Sequence, residues 1–136
     1  MDIHALRQMM AQRDTFSILE TVEVHSGNRI VLKEFDHVIE APNWTRDGRC
    51  LVYNSKGRMY TYVLASGESR EIDSGFAIDC NNDHVLSPDN AQIAVSHFTY
   101  QDATSRIYIL PFGGGEPRLV TEKGPSYLHG WSPDGK

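Results

Sequence analysis

A short motif that returns three times constrains the fold of this chain more than anything else in it. Trp44-Thr45-Arg46-Asp47-Gly48, Leu86-Ser87-Pro88-Asp89-Asn90 and Trp131-Ser132-Pro133-Asp134-Gly135 share one pattern: a large apolar residue, a small or hydroxylated one, a turn former, Asp, then Gly or Asn. The chemistry is that of a reversal. Proline fixes φ, an Asp carboxylate accepts backbone N–H bonds across the bend, and Gly or Asn tolerates a positive φ at its end. Asp47, Asp89 and Asp134 are therefore read as turn formers, not as metal ligands or catalytic acids, because folding alone explains their repetition. Trp44 and Trp131 are read as packing residues of the same turns.

The aspartates stand 42 and 45 residues apart. A period in the low forties is what a four-stranded propeller blade occupies. After the first turn comes Leu51-Val52-Tyr53-Asn54, after the second Ile93-Ala94-Val95-Ser96; such short β-branched or aromatic runs suit strands buried on both faces. A hairpin follows in each case, and residues 58–72 align without a gap to 106–120 through Ala65-Ser66-Gly67-Glu68 and Gly113-Gly114-Gly115-Glu116. The triple glycine joins two strands, so it lacks the helix N-terminus that a phosphate cradle requires.

These repeats set the expected organisation. Residues 1–14, with Ile3, Leu6, Met9 and Met10 at near-helical spacing after Asp2, form an N-terminal segment expected to be a short helix. Residues 15–136 form a partial, all-β propeller of antiparallel four-stranded blades: an outer hairpin at 15–35, blades at 40–75 and 80–122, and the start of another at 126–136, with Tyr127 to Trp131 as its innermost strand. About two full blades plus parts of two others do not close a ring. The chain therefore reads as the N-terminal half of a longer protein, or a truncated frame, with open sheet edges prone to self-association.

At the repeated turns the chain resembles the TolB-type β-propellers, whose blades carry Trp-Ser-Pro-Asp-Gly. Residues 131–135 match fully, Ser87-Pro88-Asp89-Asn90 departs at the glycine, and Trp44-Thr45-Arg46-Asp47-Gly48 departs at serine and proline. Asn81-Asn82-Asp83-His84 and Ser126-Tyr127-Leu128-His129-Gly130-Trp131 are similar to stretches in stand-alone, six-bladed bacterial members of that family, which are mostly uncharacterised. The resemblance covers about residues 15–136 and implies a six-bladed ring of roughly twice this length. TolB itself is periplasmic and carries an additional domain; the missing signal and domain argue against an envelope role here.

Composition narrows the partners. The sequence has 136 residues, is 40% hydrophobic and carries a net charge of −5 without a cluster of Lys or Arg, which argues against nucleic acid and anionic membranes. No apolar run approaches the roughly 20 residues of a membrane span. Met1 to Arg13 is too polar for a signal peptide, so the expected compartment is the cytoplasm. Cys50 and Cys80 form neither a disulfide framework nor a CxxC metal pair and are expected to be ordinary buried thiols.

Chemistry, if present, is expected where the innermost strands converge. Five residues before each turn aspartate stand Pro42, His84 and His129, so two adjacent blades place a histidine at one level. With Asn82, Asp83 and Tyr127 these form the candidate ligand-binding set, and His84 and His129 are the candidate metal ligands. The bland alternative is that these polar residues only satisfy turns and neighbouring blades. His97 and the longer loop from Phe98 to Ser105, with Tyr100, Gln101 and Asp102, form a second candidate binding element. His4, His25 and His37 stand without organised company and are read as surface residues.

Two functions fit these residues. The first is a non-catalytic binding or scaffold module that presents a channel mouth to a protein or a small polar or carbohydrate ligand, without a cofactor. The alternative is a metal-dependent lyase of acidic oligosaccharides resembling oligogalacturonate lyase, with His84 and His129 as metal ligands or as the base; in such an enzyme a divalent metal neutralises the substrate carboxylate while a base removes the proton alpha to it. No G-x-S-x-G elbow is present to suggest a hydrolase.

Overall fold

The computed structural model describes residues 15–135. The expected helix over 1–14 lies outside the described residues. Every regular element among the described residues is a β-strand. Strands β1 (Ser17–Val22) and β2 (Arg29–Phe35) form an antiparallel hairpin that, with its flanks to Ile39, is a compact unit of its own. Its tip is closed by Glu23, whose carboxylate accepts the backbone N–H groups of His25 (3.0 Å) and Ser26 (2.6 Å).

The second unit begins at Glu40 and contains two four-stranded antiparallel sheets. One comprises β3 (Glu40–Trp44), β4 (Cys50–Ser55), β5 (Arg58–Val63) and β6 (Glu68–Glu71). The other comprises β7 (Cys80–Leu86), β8 (Gln92–Thr99), β9 (Thr104–Pro111) and β10 (Arg118–Leu119). In each sheet the strands lie side by side in chain order, the arrangement of propeller blades. The fold is thus a partial, all-β propeller. β4 and the middle of β8 are buried along both faces, as continuous apolar runs require. Residues 127–131 carry no ladder. They instead hang on the preceding blade, through the N–H of Leu128 on Ser96 Oγ (2.9 Å) and Trp131 Nε1 on the Val85 carbonyl (3.0 Å).

The repeated turn has one construction. Thr45 Oγ1 donates to Asp47 Oδ1 (2.7 Å) and accepts from the N–H of Cys50 (3.0 Å), while Asp47 also accepts from the N–H of Arg49 (3.1 Å). Ser87 repeats this with Asp89 (2.6 Å) and Gln92 (2.9 Å), and Ser132 Oγ donates to Asp134 Oδ1 (2.7 Å). The fifth position has φ of 69° at Gly48, 58° at Asn90 and 73° at Gly135, which explains the restriction to Gly and Asn. The hydroxyl, followed by the backbone N–H bond, holds the Asp47 and Asp89 carboxyls below their ordinary range.

Two sheets become one body where the hairpin tip of one blade meets the chain entering the next. The Gly57 carbonyl accepts from the N–H of Cys80 (2.9 Å), and in the following repeat the Ser105 carbonyl accepts from the N–H of Ser126 (2.9 Å). Gly57 lies so close that a Cβ there would stand 2.5 Å from the Ile78 carbonyl oxygen. The triple-glycine loop makes a further link, with the N–H of Gly115 on the Asp73 carbonyl (2.9 Å). Between the sheets lies a shared core, with Val52 and Met59 from the first and Ile93, Val95 and Leu110 from the second, all essentially inaccessible. Burying each such side chain contributes about 1.5–3 kcal/mol. Cys80 belongs to this core, whereas Cys50 is only half-buried, at the start of β4.

Two measurements check this construction. Gly57→Ala combines the clash with the Ile78 carbonyl and a φ of 81°, and should lower unfolding stability by at least about 1 kcal/mol in urea titration. Ser87→Ala removes the hydroxyl that keeps the Asp89 carboxyl acidic. Because the native-state pKa of Asp89 is lowered, its stabilisation is complete above about pH 4 and disappears as pH falls through the native value. The Ser87→Ala protein should therefore show both a lower urea midpoint at neutral pH and a shallower loss of stability on acidification.

Candidate functional site

The innermost strands are irregular at the level where the sequence places its candidates. β3 and β7 both break register, between Glu40 and Asn43 and between Cys80 and His84. In β3 the bulge is accompanied by Ala41 at a φ of 48°. In β7 it is held by Asn81, whose Oδ1 accepts the N–H of Asp83 (2.9 Å) and whose Nδ2 donates to Asp83 Oδ2 (3.2 Å). Asp83 is thus engaged by its neighbour two residues away, and Asn82, at the crest of the bulge, is exposed.

His84 returns to the ladder opposite Val95 and is only 2% exposed. Its Nε2 lies 3.4 Å from the Val52 carbonyl of the neighbouring blade, and its own carbonyl accepts from Asn43 Nδ2 (3.2 Å). His84 Nδ1 is buried without a hydrogen-bond partner among the described residues. Burial pushes the His84 pKa down; the Val52 and Ala41 carbonyls and the Asp83 and Glu40 charges act against it, more weakly. The imidazole is therefore a neutral strut between blades at physiological pH.

His129 and Tyr127, by contrast, are exposed, flanking the buried Leu128. Among the described residues no group of three or more His, Cys, Asp and Glu side chains could hold a metal ion, so His84, His129 and Asp83 are not assembled into one. Trp131 Nε1 donates to the Val85 carbonyl of the preceding blade. Trp44 is 54% exposed on β3, an edge strand among the described residues, and Asn43 makes the bridge to the next blade in its place. His37 does have company: it contacts the Phe35 ring edge-on (5.5 Å) and binds Asp36 Oδ1 (2.7 Å).

The other candidate element is shorter than expected. β8 and β9 extend to pair Thr99 with Thr104, leaving only residues 100–103 as the loop. Asp102 is occupied by a two-pronged ion pair with Arg106. Tyr100 and Gln101 help to line a cleft of about 460 Å³ together with residues that the sequence did not single out: Phe76, Ile78, Asp79 and Tyr108. His97, flagged as the strand end, is part of its wall. The only available sequence signal was the tyrosine-bearing loop after His97.

Comparison with known proteins agrees with this architecture. No family model matches the chain. It is 46% identical over 121 residues to an uncharacterised protein of Agrobacterium fabrum, covering 88% of this chain and 41% of that one. It is 37% identical over 89 residues to the Tol-Pal system protein TolB of Francisella tularensis, covering 62% and 20% respectively. Among solved structures, a protein of Agrobacterium tumefaciens provisionally assigned as TolB superposes with a TM-score of 0.83 at 45% identity, over 89% of this chain and 43% of that one. TolB of Acinetobacter baumannii superposes with a TM-score of 0.67 at 23% identity, a likeness of fold alone. The chain spans about two fifths of the length of its Agrobacterium relatives.

The environment of His84 makes a specific demand on pH. A histidine whose native pKa is lowered takes up its proton more readily when unfolded, so its contribution is complete above the unfolded value of about 6.5 and is lost as pH falls below it. His84→Gln, which cannot ionise, should show a flatter dependence of Tm on pH between about 7 and 5 than the native chain, whatever its absolute stability. An unchanged slope would mean that His84 is not held neutral by burial.

Proposed function

We propose that this TolB-like propeller chain is a non-catalytic binding module, and that the exposed side chains beside its innermost strands, Asn82, Tyr127 and His129, receive a protein or a small polar ligand. The observation that carries the reading is the division of labour within the candidate set. His84 is consumed by packing and Asp83 by the bulge, whereas Asn82, Tyr127 and His129 remain on the surface of segments anchored to their neighbours by backbone and side-chain bonds. Exposed polar and aromatic groups on rigid supports are suited to recognition, because the backbone that carries them is already ordered before contact. The relatives named as Tol-Pal system proteins support a role among other proteins in general terms.

The lyase reading needs the His84 and His129 imidazoles directed at a shared site, as metal ligands or as the base. The His84 ring lies instead against the Val52 carbonyl, and nothing in the site favours this chemistry over binding.

A photo-crosslinking residue at position 127 of the full-length protein in its own cells should give a discrete adduct that a crosslinker at exposed Glu116 does not, and that His129→Ala weakens. Adducts shared equally by both positions would sink the binding assignment. In parallel, the protein should give no ultraviolet-absorbing unsaturated product from oligogalacturonate with added divalent metal; appearance of that product, abolished by His129→Ala, would move the assignment to the lyase.

A further inference from the structure

We propose that the cleft between the segment entering β7 and the β8–β9 hairpin is a binding site for a small, uncharged, planar aromatic compound of the size of a phenol or an indole. None of Asn82, Tyr127 and His129 lines it, so the site does not depend on the reading given to that surface. The walls are rings. Phe76, His97 and Tyr108 contact one another edge to face, with ring centroids 5.4–5.9 Å apart, and Phe98 and Tyr100 form a second edge-to-face pair at 5.1 Å. Phe76 and Tyr100 are half-exposed although each is held in such a contact, and Ile78, also half-exposed, lines the cleft with them.

The polar side chains of the lining are engaged with one another. The Tyr100 hydroxyl donates to Asp79 Oδ2, the Asp79 backbone N–H donates to His97 Nδ1 (3.3 Å), and Thr99 Oγ1 shares a hydrogen bond with the Tyr108 hydroxyl (3.4 Å). These bonds tie the polar atoms into the wall. What the wall then offers a guest is ring and aliphatic surface. Gln101, exposed on the hairpin loop, adds an amide that can meet a single hydroxyl or N–H on that guest.

That combination selects a ligand class. A charged guest of either sign would have to give up its water for a lining whose polar groups already have partners, whereas an uncharged ring gives up little. Between aliphatic and aromatic guests the walls decide. An aromatic ring adds edge-to-face or offset-stacked contacts with Phe76, Phe98 and Tyr100, which the quadrupoles of the rings favour beyond the area they bury. The cleft volume of about 460 Å³ lies within the range of small-molecule sites and is large enough for one or two fused rings. The walls are also set in advance by the fold. The N–H of Phe98 bonds the Asp79 carbonyl (3.0 Å) and the backbone at Ile78 and Asp79 rests on Gly57, so binding has little backbone left to order.

The test is NMR titration of the full-length protein with p-cresol, with its saturated counterpart 4-methylcyclohexanol, and with the anion p-toluate and the cation choline. The proposal expects saturable binding of p-cresol with a Kd below about 10 mM, ring-current shifts concentrated on the methyl groups of Ile78 and Thr99, and several-fold weaker binding of the other three compounds. Phe76→Leu, at a half-exposed position, keeps an apolar side chain but removes a ring, and should weaken p-cresol several-fold while leaving 4-methylcyclohexanol nearly unchanged. Ile78→Asp, also at a half-exposed position, puts a charge at the lining and should weaken both, which preserves the test if Phe76→Leu does not fold. Equal affinity for p-cresol and 4-methylcyclohexanol, tighter binding of p-toluate or choline, shifts that spare Ile78 and Thr99, an effect of neither substitution, or no saturable binding of p-cresol in that range would each overturn the proposal.

Discussion

The contact on which the second unit depends is the seating of one blade's hairpin tip on the backbone entering the next. The ladders hydrogen-bond only within each sheet, so apart from the Gly115–Asp73 link two neighbouring blades would otherwise be joined by side chains alone. The Gly57 carbonyl and the Cys80 N–H supply a backbone link, repeated by Ser105 and Ser126. It fixes the spacing at which Val52 and Met59 meet Ile93 and Val95. A shift of a fraction of an ångström there would open or overfill that core, which, like any protein interior, has little slack. The absence of a side chain at position 57 is thus part of the packing of residues well away from it.

The same seating governs the polar groups. Once the blades are registered, His84 comes to lie under the Val52 carbonyl and Asn43 reaches the His84 carbonyl. A buried polar ring is tolerable because it is neutral and because one of its nitrogens meets an acceptor. On the entering segment, Phe76, Ile78 and Asp79 are placed beside the β8–β9 hairpin by the same backbone contacts, so that the aromatic cleft is a product of blade registration.

What could be read in the sequence divides along the range of the interactions. The turns were legible residue by residue, because Thr45 with Asp47 and Ser87 with Asp89 complete their bonds within a few positions, and the left-handed fifth residue filters for Gly or Asn. The blades were legible from the period and from runs such as Leu51 to Asn54. The role of His84 was not legible, since its partner lies on another blade and only packing brings them together. Asn81, Asn82 and Asp83 read as a polar group ready for a ligand; no pattern in that run announced the bulge that ties Asn81 to Asp83. The cleft escaped for a similar reason. Phe76 and Asp79 come from one segment, His97 from a second and Tyr108 from a third, and none has a motif of its own.

The closed turns also bear on how such a chain comes into being. The turns at 45–50 and 87–92 complete their hydroxyl, carboxylate and backbone bonds inside six residues, and each sheet is formed of strands adjacent in the chain. Local order of this kind carries a small loop-closure cost. The strands of a blade can therefore pair before the next blade has been made, but the face bearing Val52 and Met59 is covered only when the next sheet is laid against it. Local pairing and inter-blade packing are thus separate steps, the first set within a blade and the second between neighbours.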